Sequence, residues 1–307
     1  MLFGAPGLQA GVCRMRATSR LIAAKPQFDA LYAEFNRTAA DRDPVEFAWR
    51  FEAPADREVA AFISASLAFG RVASILSSIG RVLEGLGAAP AAALREFRPA
   101  RHGAHYRDFV HRWIGPAEIV ALLDVLGAML REAGSLEAFF VAGDDTAAPD
   151  VGTAVERFSS RARAMGGPHV AYFFPRPSTG SACKRLNLFL RWMVRHDALD
   201  PGGWTHVSPA RLVVPLDTHV IRVAQCLRLT HRRTPGWAMA CEITAALRRL
   251  DPADPIRYDF ALCRVGMKDW CGWGRAEGHR DVDCPLRGFC QPTRRTRRGS
   301  VRPSARR

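Results

Sequence analysis

Residues 173–195 read FFPRPSTGSACKRLNLFLRWMVR, and the fold turns on how this stretch is parsed. Pro175, Pro177 and Gly180 are spaced as a short turn. Beyond Gly180 the apolar residues fall into helical period, and Leu186, Phe189, Leu190 and Met193 make one stripe of a helix over Ser181 to Arg195. Upstream, Gly166-Gly167-Pro168 breaks another helical segment, Val155 to Arg163. Helix, Pro/Gly turn and helix give a helix-hairpin-helix layout across residues 170–195. In that layout the turn residues Ser178, Thr179, Gly180 and Ser181 can turn backbone amides toward a phosphate, and the helix N-terminus favours an anion. Lys184, Arg191 and Arg195 lie off the apolar stripe, which leaves Lys184 accessible from the face of the turn.

The rest of the chain repeats the helical signal. Phe28 to Phe35, Arg57 to Gly70 behind the candidate cap Asp56, Val72 to Leu86 stopped by Gly87, Pro90 to Glu96, Ala117 to Glu132 and Glu137 to Val141 all carry it. Thr218 to Leu229, Trp237 to Leu250 and Arg257 to Lys268 complete the series, and Asp144 to Asp150 reads as an acidic surface loop. No long segment alternates with period two, so an all-α fold is expected, with no repeat of fixed period. The expected divisions are an N-terminal extension at 1–24, a helical domain at 25–268, a cysteine-containing loop at 269–290 and a basic tail at 291–307. The tail holds Arg, Ser, Thr and Pro, cannot bury a core, and is expected to be disordered.

Net charge is +14 on 307 residues, and the tail alone contributes seven arginines and no acid. An excess of this kind suits a polyanion, of which nucleic acid is the commonest. No run of about eighteen uncharged apolar residues occurs, so a membrane span is not expected. The N-terminal stretch also lacks the pattern of a secretory signal. Eight cysteines at irregular spacing suit reduced thiols or metal ligands better than a disulfide framework.

Only three of the 44 basic residues are lysines, Lys25, Lys184 and Lys268. Arginine replaces lysine for solubility or phosphate contact but cannot act as an amine nucleophile at ordinary pH. Lys184 therefore reads either as a nucleophile or as a plain phosphate or solvent contact. Thirty-three residues on stands Val213-Val214-Pro215-Leu216-Asp217-Thr218-His219-Val220, with Asp217 where a helix should begin. Asp217 reads as an N-cap worth about 1 kcal/mol, as a catalytic carboxylate, or as both. A lysine and an aspartate brought together are the minimum for Schiff-base chemistry.

Pro215 to Val223, PLDTHVIRV, resembles the aspartate-bearing segment of the helix-hairpin-helix DNA glycosylases, the endonuclease III and adenine-glycosylase superfamily. The resemblance implies two helical subdomains around a cleft, with Asp217 as the catalytic carboxylate and Lys184 as the candidate Schiff-base lysine. Phe62 to Leu67, FISASL, occupies the place of the superfamily's pocket-lining helix end. Ser66 stands where a glutamine is usual, and Phe69 or Arg71 is a candidate wedge. The superfamily's hairpin usually reads LPGVG with its lysine two residues past the last glycine. Here Ala182 fills that position and Lys184 lies two residues further on, and residues 197–211 resemble an insertion that an archaeal oxoguanine-glycosylase branch shares. More closely, about Leu31 to Gly266 is similar to a bacterial family of unknown function with a glycosylase-like core, through ADREVAAFISASLAFGRV, SACKRLNLFLRWMVR and VPLDTHVIRVAQCLRLT.

The resemblance implies base-excision repair by a monomeric, cytoplasmic, nucleoid-associated glycosylase, with or without abasic-site lyase activity. Its partner would be double-stranded DNA carrying a damaged base or an abasic site. Arg71, Ser178, Thr179, Gly180, Ser181, Arg185 and His219 become candidate DNA contacts, with His219 alternatively a capping or solvent-side residue. A non-catalytic nucleic-acid binder and a metal-stabilised interaction scaffold remain as other readings. Cys284-Pro285-Leu286-Arg287-Gly288-Phe289-Cys290 looks like the piece that closes the superfamily's iron–sulfur loop. With Cys271, and with Cys263 or His279 as fourth ligand, it implies a [4Fe–4S] cluster, with zinc or free thiols as alternatives. Cys13, Cys183, Cys226 and Cys241 read as small buried hydrophobes or incidental residues.

Overall fold

The computed structural model describes residues 19–37, 43–268, 270–271 and 284–290. The tail at 291–307, His279 and most of the expected cysteine loop lie outside the described residues. Among those described, the secondary structure is helical, broken only by isolated bridges at His111–Ile114 and His196–Pro201. No described helix is long and apolar enough to cross a membrane.

Among the described residues nine longer helices stand out: α1 Lys25–Phe35, α2 Pro54–Leu67, α3 Val72–Leu86, α4 Pro116–Ala133, α5 Gly152–Gly166, α6 Lys184–Val194, α7 Thr218–Cys226, α8 Trp237–Leu247 and α9 Asp259–Met267. Their buried side chains form one continuous cluster. Helix α2 is its centre, buried from Glu58 through Leu67, as expected of a helix with apolar residues around most of its circumference. It starts at Pro54, three residues before the expected start. Asp56 does not cap it: its Oδ1 accepts the Ala91 amide (2.8 Å) of the short Pro90–Arg95 helix instead. Glu58, a buried acid, takes the amides of Leu136 (2.7 Å) and Glu137 (3.1 Å) and the Trp204 indole N–H (3.0 Å). Burial raises its carboxyl above the ordinary range, and these three donors oppose the rise.

One expectation needs correction, and two segments make long-range contacts that the sequence does not show. Residues 19–23 are helical, with Leu21 and Ala24 buried, so the chain joins the core before the expected domain start. The acidic segment 144–150 is the surface loop expected, with no buried residue, and Arg211 anchors it by holding the Asp144 carboxylate with both terminal nitrogens (2.6 and 2.8 Å). Arg191 and Arg195, off the apolar stripe of α6, are 3% and 4% exposed. Arg191 pairs with Asp200 and Asp259, and Arg195 with Asp197, Asp200 and Asp254. Asp197 and Asp200 come from the segment read as an insertion. It folds back over α6 and turns two cations that helical periodicity assigns to the polar face into the centre of a buried ionic network, where every charge has a partner.

Candidate active site

The segment after Phe174 delivers Lys184 through an irregular turn. Pro177–Thr179 forms a 3-10 turn, Gly180 adopts the left-handed conformation (φ 79°) and Cys183 follows in the same region (φ 49°). Helix α6 therefore begins at Lys184 and not at Ser181. The Cys183 thiol is buried and directed at the carbonyls of Pro175 and Ser181, while the Asn187 amide reaches back to Ala182 O (3.1 Å). These contacts hold the non-helical residues in place and make Lys184 the first residue of the helix.

Asp217 arrives on a buried extended segment, Leu212 to Leu216, anchored where Val214 N–H donates to Thr244 Oγ1 (3.0 Å). Its Oδ1 accepts the amides of His219 (2.9 Å) and Val220 (2.8 Å), so the N-cap reading is correct. Its Oδ2 is left for the cleft. Lys184 Nζ stands 3.5 Å from that oxygen and the Cys263 thiol donates to it at 3.4 Å. One carboxylate thus divides its oxygens between helix capping and a lysine.

The pair sits at a cleft of about 390 Å³, within the range of about 300–1,000 Å³ usual for small-molecule sites. The lysine side chain is 40% exposed and the aspartate 17%, so the amine is reachable and the carboxylate is largely shielded. Helix α9 lines one wall with Asp259, Cys263 and Met267, spaced by four residues, and Leu188 and Trp192 of α6 face them. Asp43 also lines the cleft. Burial pushes the Asp259 carboxyl up to about 6 despite the Arg191 guanidinium, and the nearby Asp217 charge adds to the rise. Burial likewise raises Asp43 and the Cys263 thiol.

α7 and α9 meet closely because Gly266 faces His219. A Cβ on Gly266 would stand 2.7 Å from His219 Cβ and 3.0 Å from its Cα and carbonyl oxygen. His219 therefore acts through its backbone, as an Asp217 capping donor, and its buried Nδ1 has no hydrogen-bond partner.

Other expected DNA contacts are engaged within the protein. Ser178 gives its amide (2.9 Å) and hydroxyl (2.8 Å) to Glu156, and Thr179 Oγ1 bonds Arg176 O (2.8 Å), so a carboxylate already occupies part of the turn. Arg185 stacks on Tyr172 (3.5 Å to the ring centre) and donates to its carbonyl. Phe69 is half-buried and packs against His111, Trp113 and Tyr172, with ring centres at 4.6, 4.8 and 5.3 Å. Gly180 and Arg71 are exposed and Ser181 is half-buried. Trp113 is 62% exposed on a turn where Arg112 takes φ 58°, and neighbouring Val110 is 70% exposed.

Cys263 does not join the C-terminal cysteines. Cys271, Cys284 and Cys290 meet Cys226, the last residue of α7, through thiol–thiol contacts of Cys226 with Cys271 and Cys290 and of Cys284 with Cys290. The contacts raise Cys226 and Cys284 and leave Cys290, which meets both, at the low end. Among the described residues no three His, Cys, Asp or Glu side chains stand ready-arranged around a metal position.

Asp43, Asp259, Trp192 and the site role of Cys263 escaped the sequence reading. The four-residue spacing of Asp259, Cys263 and Met267 on one helix face is the signal that could have found the α9 wall. Nothing in the sequence ties Asp43 to it.

Residues 43–268 match the model of a protein family described as a protein of unknown function, DUF2400. No curated protein and no solved structure matches the chain.

Proposed function

This chain belongs to the DUF2400 family of unknown function, and we propose that it is a DNA glycosylase with Schiff-base lyase activity. The observation that carries the reading is the 3.5 Å approach of Lys184 Nζ to Asp217 Oδ2 at the mouth of a cleft of about 390 Å³. An accessible amine, a shielded carboxylate and an adjoining cavity are the parts this chemistry needs.

A damaged nucleotide flips from the stack, at a cost of a few kcal/mol, and its base enters the cleft. Lys184 Nζ attacks C1′, the glycosidic C1′–N bond breaks, and its electron pair leaves with the base, which takes up a proton. Asp217 Oδ2 stabilises the cationic sugar and accepts a proton from the attacking amine. Opening of C1′–O4′, with a proton to O4′, gives the imine. Loss of a C2′ proton then expels the 3′ phosphate, and water hydrolyses the imine to restore the lysine. Trp113, presented with Val110 on a strained turn, takes the wedge role, and the arginine-rich surface supplies phosphate affinity.

The donor set of Cys226, Cys271, Cys284 and Cys290 fits a [4Fe–4S] cluster or zinc in number and chemistry. Such a group would fasten the C-terminus of α7, whose N-terminus carries Asp217. Its thiol–thiol contacts would then be exchanged for metal–sulfur bonds.

Borohydride reduction in the presence of an abasic-site duplex tests the reading. A covalent adduct formed by the protein and lost in Lys184→Gln is expected. Tight duplex binding without any adduct would instead make the protein a non-catalytic binder.

A further inference from the structure

Between Asp217 and Glu242 the chain carries four arginines and no acid, and the loop that follows α7 is exposed from His231 to Pro235. Its backbone is nonetheless held. Thr230, 3% exposed, donates its hydroxyl to Glu242 Oε2 (3.0 Å) and accepts the Arg232 amide (3.1 Å), and Gln225 Nε2 donates to the Arg232 carbonyl (3.3 Å). Arg232 spends charge on Glu242, with Nε 3.2 Å from Oε2. Arg233 is exposed, and among the described residues its guanidinium has no ion-pair or hydrogen-bond partner.

The loop ends against the turn that precedes Lys184. A Cβ on Gly236 would stand 2.6 Å from the Gly180 carbonyl oxygen, so only a residue without a side chain allows the approach. Gly180 lies four residues before Lys184, a span of at most about 14 Å, or the axial length of about four nucleotides of one strand. The turn itself is a poor cradle for an anion. Glu156 takes the Ser178 amide and hydroxyl and stands 3.7 Å from Arg176 Nε, so the donors and the cation of the turn already face a carboxylate.

We propose that the loop 231–236 is a phosphate clamp for the duplex backbone beside the reactive lysine, with Arg233 as its cation; the identity of the polyanion rests on the glycosylase reading. A guanidinium binds a phosphate through two parallel N–H bonds, and such a contact positions the strand without reading its sequence. Gly236 fixes how near to Lys184 the clamp stands.

Binding of an undamaged, fluorophore-labelled DNA duplex to the full chain, followed by anisotropy between about 50 and 200 mM salt, tests the clamp without any chemical step. Arg233→Gln should make log affinity against log salt shallower by about 0.9, the value of one phosphate contact, and weaken binding about five- to tenfold near 0.1 M salt. Arg233→Lys keeps the charge and should keep the slope. Arg101→Gln, which removes an exposed charge on the separate Pro99–His102 helix, should leave the slope unchanged. Gly236→Ala should weaken binding with Arg233 still present, and the Arg233 variants, altered at an exposed position, decide the matter if that protein melts early by circular dichroism. An unchanged slope in Arg233→Gln, or an equal fall in Arg101→Gln, overturns the assignment. Borohydride trapping on an abasic duplex keeps the two readings apart: an adduct with an unchanged Arg233→Gln slope sinks the clamp alone, and a shallower slope without any adduct sinks the lyase reading alone.

Discussion

Replacing Gly266 with alanine tests the contact that positions Asp217 against Lys184. The added methyl would lie 2.7 Å from His219 Cβ and 3.0 Å from the His219 backbone, closer than real Cβ contacts come. The obstacle is backbone, so no side-chain rotation relieves it. Overpacking of this kind costs about 1–3 kcal/mol, and the helical preference of alanine over glycine returns at most about 1 kcal/mol. The net loss is up to about 2 kcal/mol, or up to about 3–4 °C in melting temperature for a chain of this size. Gly80→Ala is the matched control, because its new Cβ would meet only the Phe47 ring at an ordinary 3.9 Å. That change should stabilise by about 0.5–1 kcal/mol through the unfolded state and helix preference. Thermal denaturation followed by circular dichroism reads both. Because His219 N–H donates to the capping oxygen of Asp217, Gly266→Ala should also slow borohydride trapping, and Gly80→Ala should not. If both alanines raise the melting temperature, the close approach of α7 and α9 is wrong, and with it the account of how Asp217 is aimed.

Asp217→Asn separates capping from chemistry: asparagine caps as well as aspartate, so stability should hold within about 0.5 kcal/mol while trapping rates fall by about 10²–10⁴. An unchanged rate would remove Asp217 from the mechanism. The Asp259 carboxyl, raised by burial to about 6, should make stability pH-dependent. A raised folded value means the proton is held more tightly in the native state. Its stabilising contribution is thus full below about pH 4 and lost as pH rises through about 6. Melting curves should show the gap between the unaltered protein and Asp259→Asn shifting against the former over that window. Metal analysis of anaerobically purified protein should find iron or zinc reduced in Cys226→Ser and unaffected in Cys263→Ser; the opposite pattern would restore Cys263 as a ligand.

Much of the fold follows from periodicity. α3, α4 and α7 lie where their apolar spacing and stop signals put them, with ends displaced by a few residues where Pro116 or a positive φ at Arg228 sets the boundary. Lys184 stood out because an arginine-rich chain kept a lysine there, and Asp217 because it opened a helix behind an extended segment. Those two residues were legible one at a time. Their meeting was not, since 33 residues of intervening chain fix no distance.

Local sequence therefore determined the helices, the cap and the two chemically able side chains, because those depend on neighbours within a few residues. Tertiary packing decided the rest. It buried Arg191 and Arg195 under aspartates from the 197–211 segment, turned Cys263 to Asp217 while Cys226 joined the C-terminal thiols, and left one oxygen of Asp259 buried without a hydrogen-bond partner. A charge on a helix reads as solvent-facing until a partner arrives from elsewhere in the chain, and whether one arrives is a matter of long-range packing that no local pattern contains.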